Sequence, residues 1–195
     1  MNAGSVECGF GEIMPTSRTL TIHFICTGNI YRSRLAEAYC ASRSVPGLHV
    51  FSSGIGTAMN GVTIAPYAAQ VLSQRSVEGF AAPSWQQTTR VLVRASDVLV
   101  FMEREHHRFC EDWIDPIRQR FEIWDISDIG ELDAARTKNE VEQTFAMIRQ
   151  RTDVLLRTLY KQRRLTKARF YGESGKFVSG WQGEASRSAR VQLPV

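Results

Sequence analysis

The chain has 195 residues, 43% of them hydrophobic and 23% charged, and carries a net charge of +4. That length suits one domain with a substantial core, and the composition is that of a globular protein rather than a fibrous or low-complexity one. No apolar run approaches the roughly 20 residues that a membrane-spanning helix needs.

The charge is unevenly spread. From Lys161 to Val195 there are eight basic and two acidic residues, a balance of +6 that leaves −2 for everything before it. A tail of this kind suits an acidic partner, nucleic acid or anionic lipid, or is simply a solvated, partly disordered extension. At the other end, residues 1–18 read as a flexible leader without periodicity, and Met14 is an alternative start. The leader lacks the basic start and apolar stretch of a signal peptide, so a cytoplasmic location is expected.

From residue 19 a rhythm sets in. "LTIHFIC" reads as a first strand, and "RLAEAYCASR" as a helix with Leu35, Ala38 and Tyr39 on one side. "LHVFSSG" is a second strand, followed by a helix after Pro66. "SWQQTTRVLVRA" reads as another helix, with Ser84 as its N-cap. "SDVLVFM" is a continuous apolar run typical of a buried parallel strand. "EREHHRFCEDW" is helical, "RFEIWDI" is a fourth strand, and "TKNEVEQTFAMIRQRTDVLLRTLYKQ" is a long closing helix. Its apolar stripe runs through Val141, Phe145, Ile148, Thr152, Leu155, Leu156 and Leu159. Strands alternating with helices predict an α/β fold over residues 19–161: a small, four-stranded parallel sheet with helices on both faces. Residues 162–195 form the basic, partly disordered tail.

Four cysteines (Cys8, Cys26, Cys40 and Cys110) show no CxxC spacing and no His/Cys cluster. This argues against a zinc site and a disulfide framework, and no cofactor is expected. Cys40 and Cys110 read as core. His23, within a strand, and His106, at a helix start, read as structural.

Cys26 stands apart. It ends the first strand, where open α/β sheets bind ligands, and Arg32 follows six residues later at a helix start. Two readings compete: a structural turn with a buried thiol and a solvated arginine, or a phosphate-binding loop with a nucleophile at its base. Cys-x5-Arg alone is a weak motif, but the intervening residues favour the second reading. Gly28 and Asn29 tolerate positive φ, which lets successive N–H groups converge on one point. A helix starting near Arg32 or Ser33 adds its unpaired N–H groups and positive dipole end. Such a cradle holds a phosphate dianion and would stabilise a thiolate at its centre. Arg32 would clamp two phosphoryl oxygens, and Ser33 would offer a hydroxyl to the sulfur.

"CTGNIYRSRLAEA" resembles the phosphate-binding loop of the low-molecular-weight protein tyrosine phosphatases, whose pattern is C-[TL]-G-N-I-C-R-S-P-x-A-E. "FSSGIGTAMNG" with "APYAAQVL", then "ASDVLVFMEREH" and "IWDISDI", are similar to further segments of that family in the same order, over roughly residues 20–160. The resemblance implies a hydrolase of phosphotyrosine on proteins that requires no metal. Cys26 would be the nucleophile, Arg32 the phosphate clamp, and Thr27, Gly28, Asn29, Ile30, Tyr31 and Ser33 the rest of the phosphate-binding loop. Aligned with the family's D-[IV]-P-D-P, Asp128 takes the general-acid position rather than Asp125.

Several residues depart from the family pattern. Tyr31 stands where many members carry a second cysteine that protects the nucleophile as a disulfide. Arg34 replaces the proline after R-S, and Ser127 the proline before the acid. Ile129 and Gly130 replace the P-Y after it, leaving Tyr31 or Trp124 to supply an aromatic wall. Ile30 stands where bacterial arginine phosphatases of this superfamily carry Thr. Two alternatives are an arsenate reductase on the same fold, disfavoured by the wide spacing of Cys40 and Cys110, and a phosphate-binding module without catalysis.

Overall fold

The computed structural model describes residues 18–56, 63–129 and 133–171. The leader through residue 17, Cys8 within it, Gly130, and the tail from residue 172 lie outside the described residues.

Four strands form one parallel sheet: β1 (Leu20–Cys26), β2 (Leu48–Gly54), β3 (Val98–Phe101) and β4 (Arg120–Ile123). Between them lie α1 (Arg32–Ser42), α2 (Pro66–Gln74), α3 (Arg90–Ala95) and α4 (Arg104–Cys110), and α5 (Ala134–Tyr171) follows β4. The strand order is β2-β1-β3-β4. The chain therefore leaves β1 in one direction to form β2, and in the other to form β3 and β4. Right-handed crossovers then place α1 on one face and α3 and α4 on the other. The reversal makes the carboxyl end of β1, beside that of β3, the topological switch point where such sheets bind ligands.

Both faces of β1 are covered, as its unbroken apolar run requires. Ile25 packs with Val93, Leu99, Phe101 and Cys110. Its neighbour Phe24, which points to the opposite face, meets Trp124 at 5.5 Å between ring centroids. On α1's side, Tyr39 meets Phe145 of α5 edge-on at 5.8 Å and donates a hydrogen bond to Asp153. Val141, Phe145, Ile148 and Thr152 of the expected stripe are buried, as are Leu155 and Leu159, while Leu156 is half-exposed. The unit that carries the sheet ends at Asp153. A second begins at Val154, and its described part is the remainder of α5, which stays helical past Lys161 to Tyr171.

One expected element differs. Residues 84–89 are not helical, with Gln87 forming a single β-bridge to Gly54, and α3 begins only at Arg90, capped by Thr89 accepting from the Leu92 N–H and not by Ser84. β2 is an edge strand, and its last residue captures this segment: Gly54 N–H donates to Gln86 O at 2.9 Å and Thr88 N–H to Gly54 O at 2.7 Å. The β-branched pair Thr88–Thr89 suits that extended pairing better than a helix interior.

Candidate active site

The loop after β1 is tied to the end of β2 through its backbone. Ile55 N–H donates to Cys26 O at 3.0 Å and Gly56 N–H to Thr27 O at 2.7 Å. The approach is close enough to require glycine: a Cβ on Gly54 would lie 2.6 Å from Thr27 O and 2.7 Å from Asn29 N. Of the two residues expected at positive φ, Asn29 has it (53°) and Gly28 does not. One left-handed residue suffices to turn the loop, and three side-chain hydrogen bonds hold Asn29 there. Its Nδ2 donates to Ser33 Oγ (3.0 Å) and Ser52 Oγ (2.7 Å), and its Oδ1 accepts from Gln86 N–H (2.7 Å).

Cys26 is buried at the base of this turn. Its sulfur accepts from Asn29 N–H at 3.3 Å and lies 3.0 Å from Ser33 Oγ. Because Ser33 Oγ already accepts from Asn29, its own proton is free to point at the sulfur. α1 starts at Arg32, and Tyr31, at its N-cap, offers no side-chain hydrogen bond to the first turn. The opening N–H groups of α1 are thus left to whatever the loop holds.

Arg32 is 1% exposed, and its guanidinium is oriented from one side. Nη1 donates to Glu103, two residues beyond β3, and to the carbonyl of Ile126 at 2.9 Å. Nη2 donates to Thr27 Oγ1 (3.2 Å) and Asp128 Oδ2 (2.6 Å). Among the described residues, Nε is buried with no hydrogen-bond partner. Burial alone would lower the pKa of this guanidinium, but the negative charges of Cys26, Glu103 and Asp128 outweigh it and hold the pKa above its ordinary value. The Nε–Nη2 edge is the fork that matches two phosphoryl oxygens. An anion bound there would satisfy the orphaned Nε and release Asp128 from Nη2.

The two aspartates of "IWDISDI" part company. Asp125 adopts φ 48° and pairs with Arg104 at 3.7 Å, whereas Asp128 faces Arg32 with a half-exposed side chain. His106 is buried, with Nδ1 accepting from Glu103 N–H and Nε2 therefore donating to Thr27 Oγ1 at 3.0 Å. Burial, and then the charge of Arg32, lower its pKa to about 4. Ligand atoms of Glu103, Glu105 and His106 come within 4.8 Å of one another, but Glu103 is committed to Arg32 and His106 to Thr27. Cys40 and Cys110 are buried thiols pushed up to about 12, which makes them core rather than redox partners.

The family model for low molecular weight phosphotyrosine protein phosphatases matches residues 21–165. The chain belongs to that family. Two curated relatives are probable low molecular weight protein-tyrosine-phosphatases EpsP. That of Ralstonia solanacearum is 37% identical over 82 residues, or 42% of this chain and 54% of the relative. That of Ralstonia nicotianae is 36% identical over 83 residues, or 43% and 55%. In these alignments the chain spans about half the length of the curated relatives it matches. Among solved structures, YfkJ from Bacillus subtilis is similar with a TM-score of 0.61 at 19% identity, covering 76% of this chain and 99% of its own. Vibrio vulnificus Wzb in complex with benzylphosphonate gives 0.59 at 20%, covering 72% and 99%. The YwlE arginine phosphatase from Geobacillus stearothermophilus gives 0.57 at 20%, covering 73% and 96%. At these identities the three share the fold. No helix among the described residues is long and apolar enough to cross a membrane.

Against the family pattern, three features of this site were not foreseen. Glu103 fixes Arg32, and its signal was its place just beyond a buried strand at the ligand-binding edge. The aromatic near the thiol is neither Tyr31 nor Trp124. Tyr31 is 3% exposed, and Trp124 is 1% exposed against Phe24. Tyr67 of α2 is half-exposed instead, its ring edge-on to Tyr31 at 5.1 Å. The pKa of its hydroxyl is raised by burial and by the nearby charges of Asp128 and Cys26, against the opposing effect of Arg32. Finally, Arg34, in place of the family's proline, is buried beside Glu37.

Proposed function

We propose that this chain is a cysteine-dependent, metal-independent phosphatase that hydrolyses phosphotyrosine on proteins in the cytoplasm. One observation carries the reading: the Cys26 sulfur is met by the Asn29 N–H and the Ser33 hydroxyl, and the Nε of the buried Arg32 fork beside it has no hydrogen-bond partner among the described residues. In the first step the Cys26 thiolate attacks phosphorus in line, a P–S bond forms, and the P–O bond to the leaving phenolate breaks. The N–H groups of the loop from Thr27 to Ser33 and the Nε–Nη2 edge of Arg32 hold the equatorial oxygens as charge spreads over them. Asp128, released from Nη2 when phosphate takes that edge, takes up a proton from the water around its half-exposed carboxyl and gives it to the leaving oxygen. In the second step Asp128 removes a proton from water as its oxygen attacks phosphorus, and the P–S bond breaks to return the thiolate. Tyr67 supports the preference for aryl esters, because a substrate ring entering toward Cys26 meets its half-exposed face. Ile30, where arginine phosphatases carry Thr, weighs against phosphoarginine.

The test is turnover of p-nitrophenyl phosphate and of a phosphotyrosyl peptide by wild type, Cys26→Ser and Asp128→Asn. Cys26→Ser abolishes turnover. Asp128→Asn lowers kcat by about 10²–10⁴-fold, since general-acid assistance is worth that much. An inactive wild type, or a Cys26→Ser variant as active as wild type, removes the reading. Peroxide inactivation is a second readout: with Tyr31 in place of a partner cysteine, activity lost to peroxide is not recovered by thiol reductant once Cys26 passes sulfenic acid.

A further inference from the structure

Two carboxylates stand side by side at the rim of the phosphate loop, and only one of them has a cation. Glu103, the N-cap of α4, is fully engaged: it accepts from Arg32 Nη1 and, in a capping box, from the backbone N–H of His106. Glu105, in the first turn of α4, has a side chain 64% exposed, and its carboxylate comes within 4.8 Å of that of Glu103. His106 Nε2 lies 3.6 Å from Glu105 Oε1, but His106 is held neutral by burial, so this contact is no ion pair. Among the described residues no arginine or lysine pairs with Glu105, and Arg104 beside it turns to Asp125 at 3.7 Å. A carboxylate in a first turn also meets the positive end of its helix, but α4 has seven residues and its N-cap is already an acid.

Short steps connect Glu105 to the place where phosphate would sit. His106 Nε2 is 3.0 Å from Thr27 Oγ1, which is 3.2 Å from Arg32 Nη2, so no step from Glu105 to the guanidinium edge exceeds 3.6 Å. Two residues of extended chain span about 7 Å, so a long side chain near the phosphotyrosine of a bound peptide reaches this rim. The pair does not suit a metal ion. His106 Nδ1 accepts from Glu103 N–H and Nε2 carries the proton that goes to Thr27, so neither ring nitrogen has a lone pair to give. Glu105 keeps open acceptor positions toward solvent, which the N–H groups of an ammonium or guanidinium would fill from outside. Such a cation would also relieve the repulsion between two like charges held this close.

We propose that Glu105, with Glu103 behind it, is a specificity-determining subsite that favours phosphotyrosyl substrates carrying an arginine or lysine within about two residues of the phosphotyrosine. The inference rests on the phosphatase reading and names the kind of substrate that reading leaves open. The two ends of such a substrate meet opposite charges: its phosphate meets the buried Arg32, and its cation meets the exposed Glu105. Glu105 touches neither the phosphate loop's sulfur nor Asp128, so it acts on the capture of substrate and not on the chemical step. An exposed charge of this kind speaks mainly through encounter and KM, and salt weakens it.

The test is steady-state kinetics, at low and at physiological salt, on phosphotyrosyl peptides that differ only in arginine, alanine or glutamate at the positions flanking the phosphotyrosine, with p-nitrophenyl phosphate as control. Wild type turns over the arginine peptide with kcat/KM about threefold to fivefold above the alanine one, the scale of an exposed ion pair, almost all of it in KM. Added salt shrinks the gap. Glu105→Gln removes the preference, Glu105→Lys reverses it in favour of glutamate, and both variants hydrolyse p-nitrophenyl phosphate at the wild-type rate. A wild type indifferent to the flanking charge, or a Glu105→Lys variant that keeps the wild-type ranking, overturns the proposal. If wild type turns over none of these substrates, the phosphatase reading fails and binding decides this one. By fluorescence anisotropy, Cys26→Ser then holds the arginine peptide more tightly than the glutamate peptide, and adding Glu105→Lys abolishes the difference. Equal affinities of Cys26→Ser for the two peptides overturn the subsite as well.

Discussion

The phosphate loop has two flanks, and they are built from the same materials to opposite ends. On the inner flank Arg34, Glu37, Ser52, Asn29 and Ser33 are all nearly or fully buried, and each link has a fixed donor and acceptor. On the outer flank Arg32 is equally buried, but its partners Asp128 and Glu103 have side chains 52% and 31% exposed, and one guanidinium nitrogen has no partner among the described residues. Arg34 Nε likewise has no hydrogen-bond partner among the described residues, so the two flanks differ not in satisfaction but in access to water. That difference separates what shapes the loop from what responds to substrate: an enclosed network holds one geometry, whereas a carboxylate half in water can let go of a guanidinium at small cost.

The outer flank still has one fixed point, and removing it should have the largest effect. Glu103 and the Ile126 carbonyl hold Arg32 Nη1, which leaves Nε and Nη2 for phosphate. Glu103→Ala frees the fork to turn, and kcat for an aryl phosphate falls by about 10²-fold, the scale of losing one preorganised charge stabiliser. Steady-state kinetics with unchanged circular dichroism would show it. A variant within a factor of two of wild type would mean that Asp128 and Thr27 orient Arg32 by themselves.

A smaller effect is expected at Tyr67, which belongs to neither flank. Ala65 N–H, one residue before α2, donates to the Ile30 carbonyl at 2.8 Å and fixes the first turn of the helix to the loop. Tyr67→Ala should lower kcat/KM for a phosphotyrosyl peptide by about tenfold, the value of one aromatic pair with its buried area, mostly through KM. Inhibition by inorganic phosphate, which has no ring, should hardly change. Equal losses for both would make Tyr67 a support for Tyr31 rather than a surface for substrate.

How much of this was legible in the sequence follows the same division. β1 and β2 match their readings to the residue: "LTIHFIC" is a mainly apolar run that ends on the loop's cysteine, and "LHVFSSG" ends on the glycine that packs against the loop. Cys26, Arg32 and Asp128 were named from spacing and resemblance, and the structure brings the three together with Asp128 rather than Asp125 on Arg32. The segment 84–89 was misread because its pairing with Gly54 is a tertiary contact that no local pattern encodes. Tyr67 was passed over inside "APYAAQVL" because helical spacing gives a face and not what the face looks onto. Arg34 and Glu37 stand three residues apart on α1, a spacing common to exposed helix ion pairs, and burial, which the sequence does not show, is what sets this pair apart.

The two flanks also respond to acid with opposite sign. On the outer side His106 is held neutral, with its pKa lowered to about 4 against 6.5 when unfolded. The unfolded chain therefore binds the extra proton first, and the stability His106 contributes, whole above pH 6.5, is lost as pH falls toward 4. On the inner side the carboxyl of Glu37 is raised, so the folded state holds that proton more tightly than the unfolded one, and acid does not undo this flank by the same route. A protonated His106 can no longer accept from Glu103 N–H, so acid loosens first the residue that orients Arg32. His106→Gln should cost a few degrees in Tm at neutral pH yet make the fall of Tm between pH 6.5 and 4 shallower than in wild type. Part of that fall must remain, because His23, bonded to Ser53 and lowered to about 3, titrates in the same sense. A His106→Gln curve parallel to wild type would assign the acid sensitivity to His23 and remove the link between His106 and the outer flank.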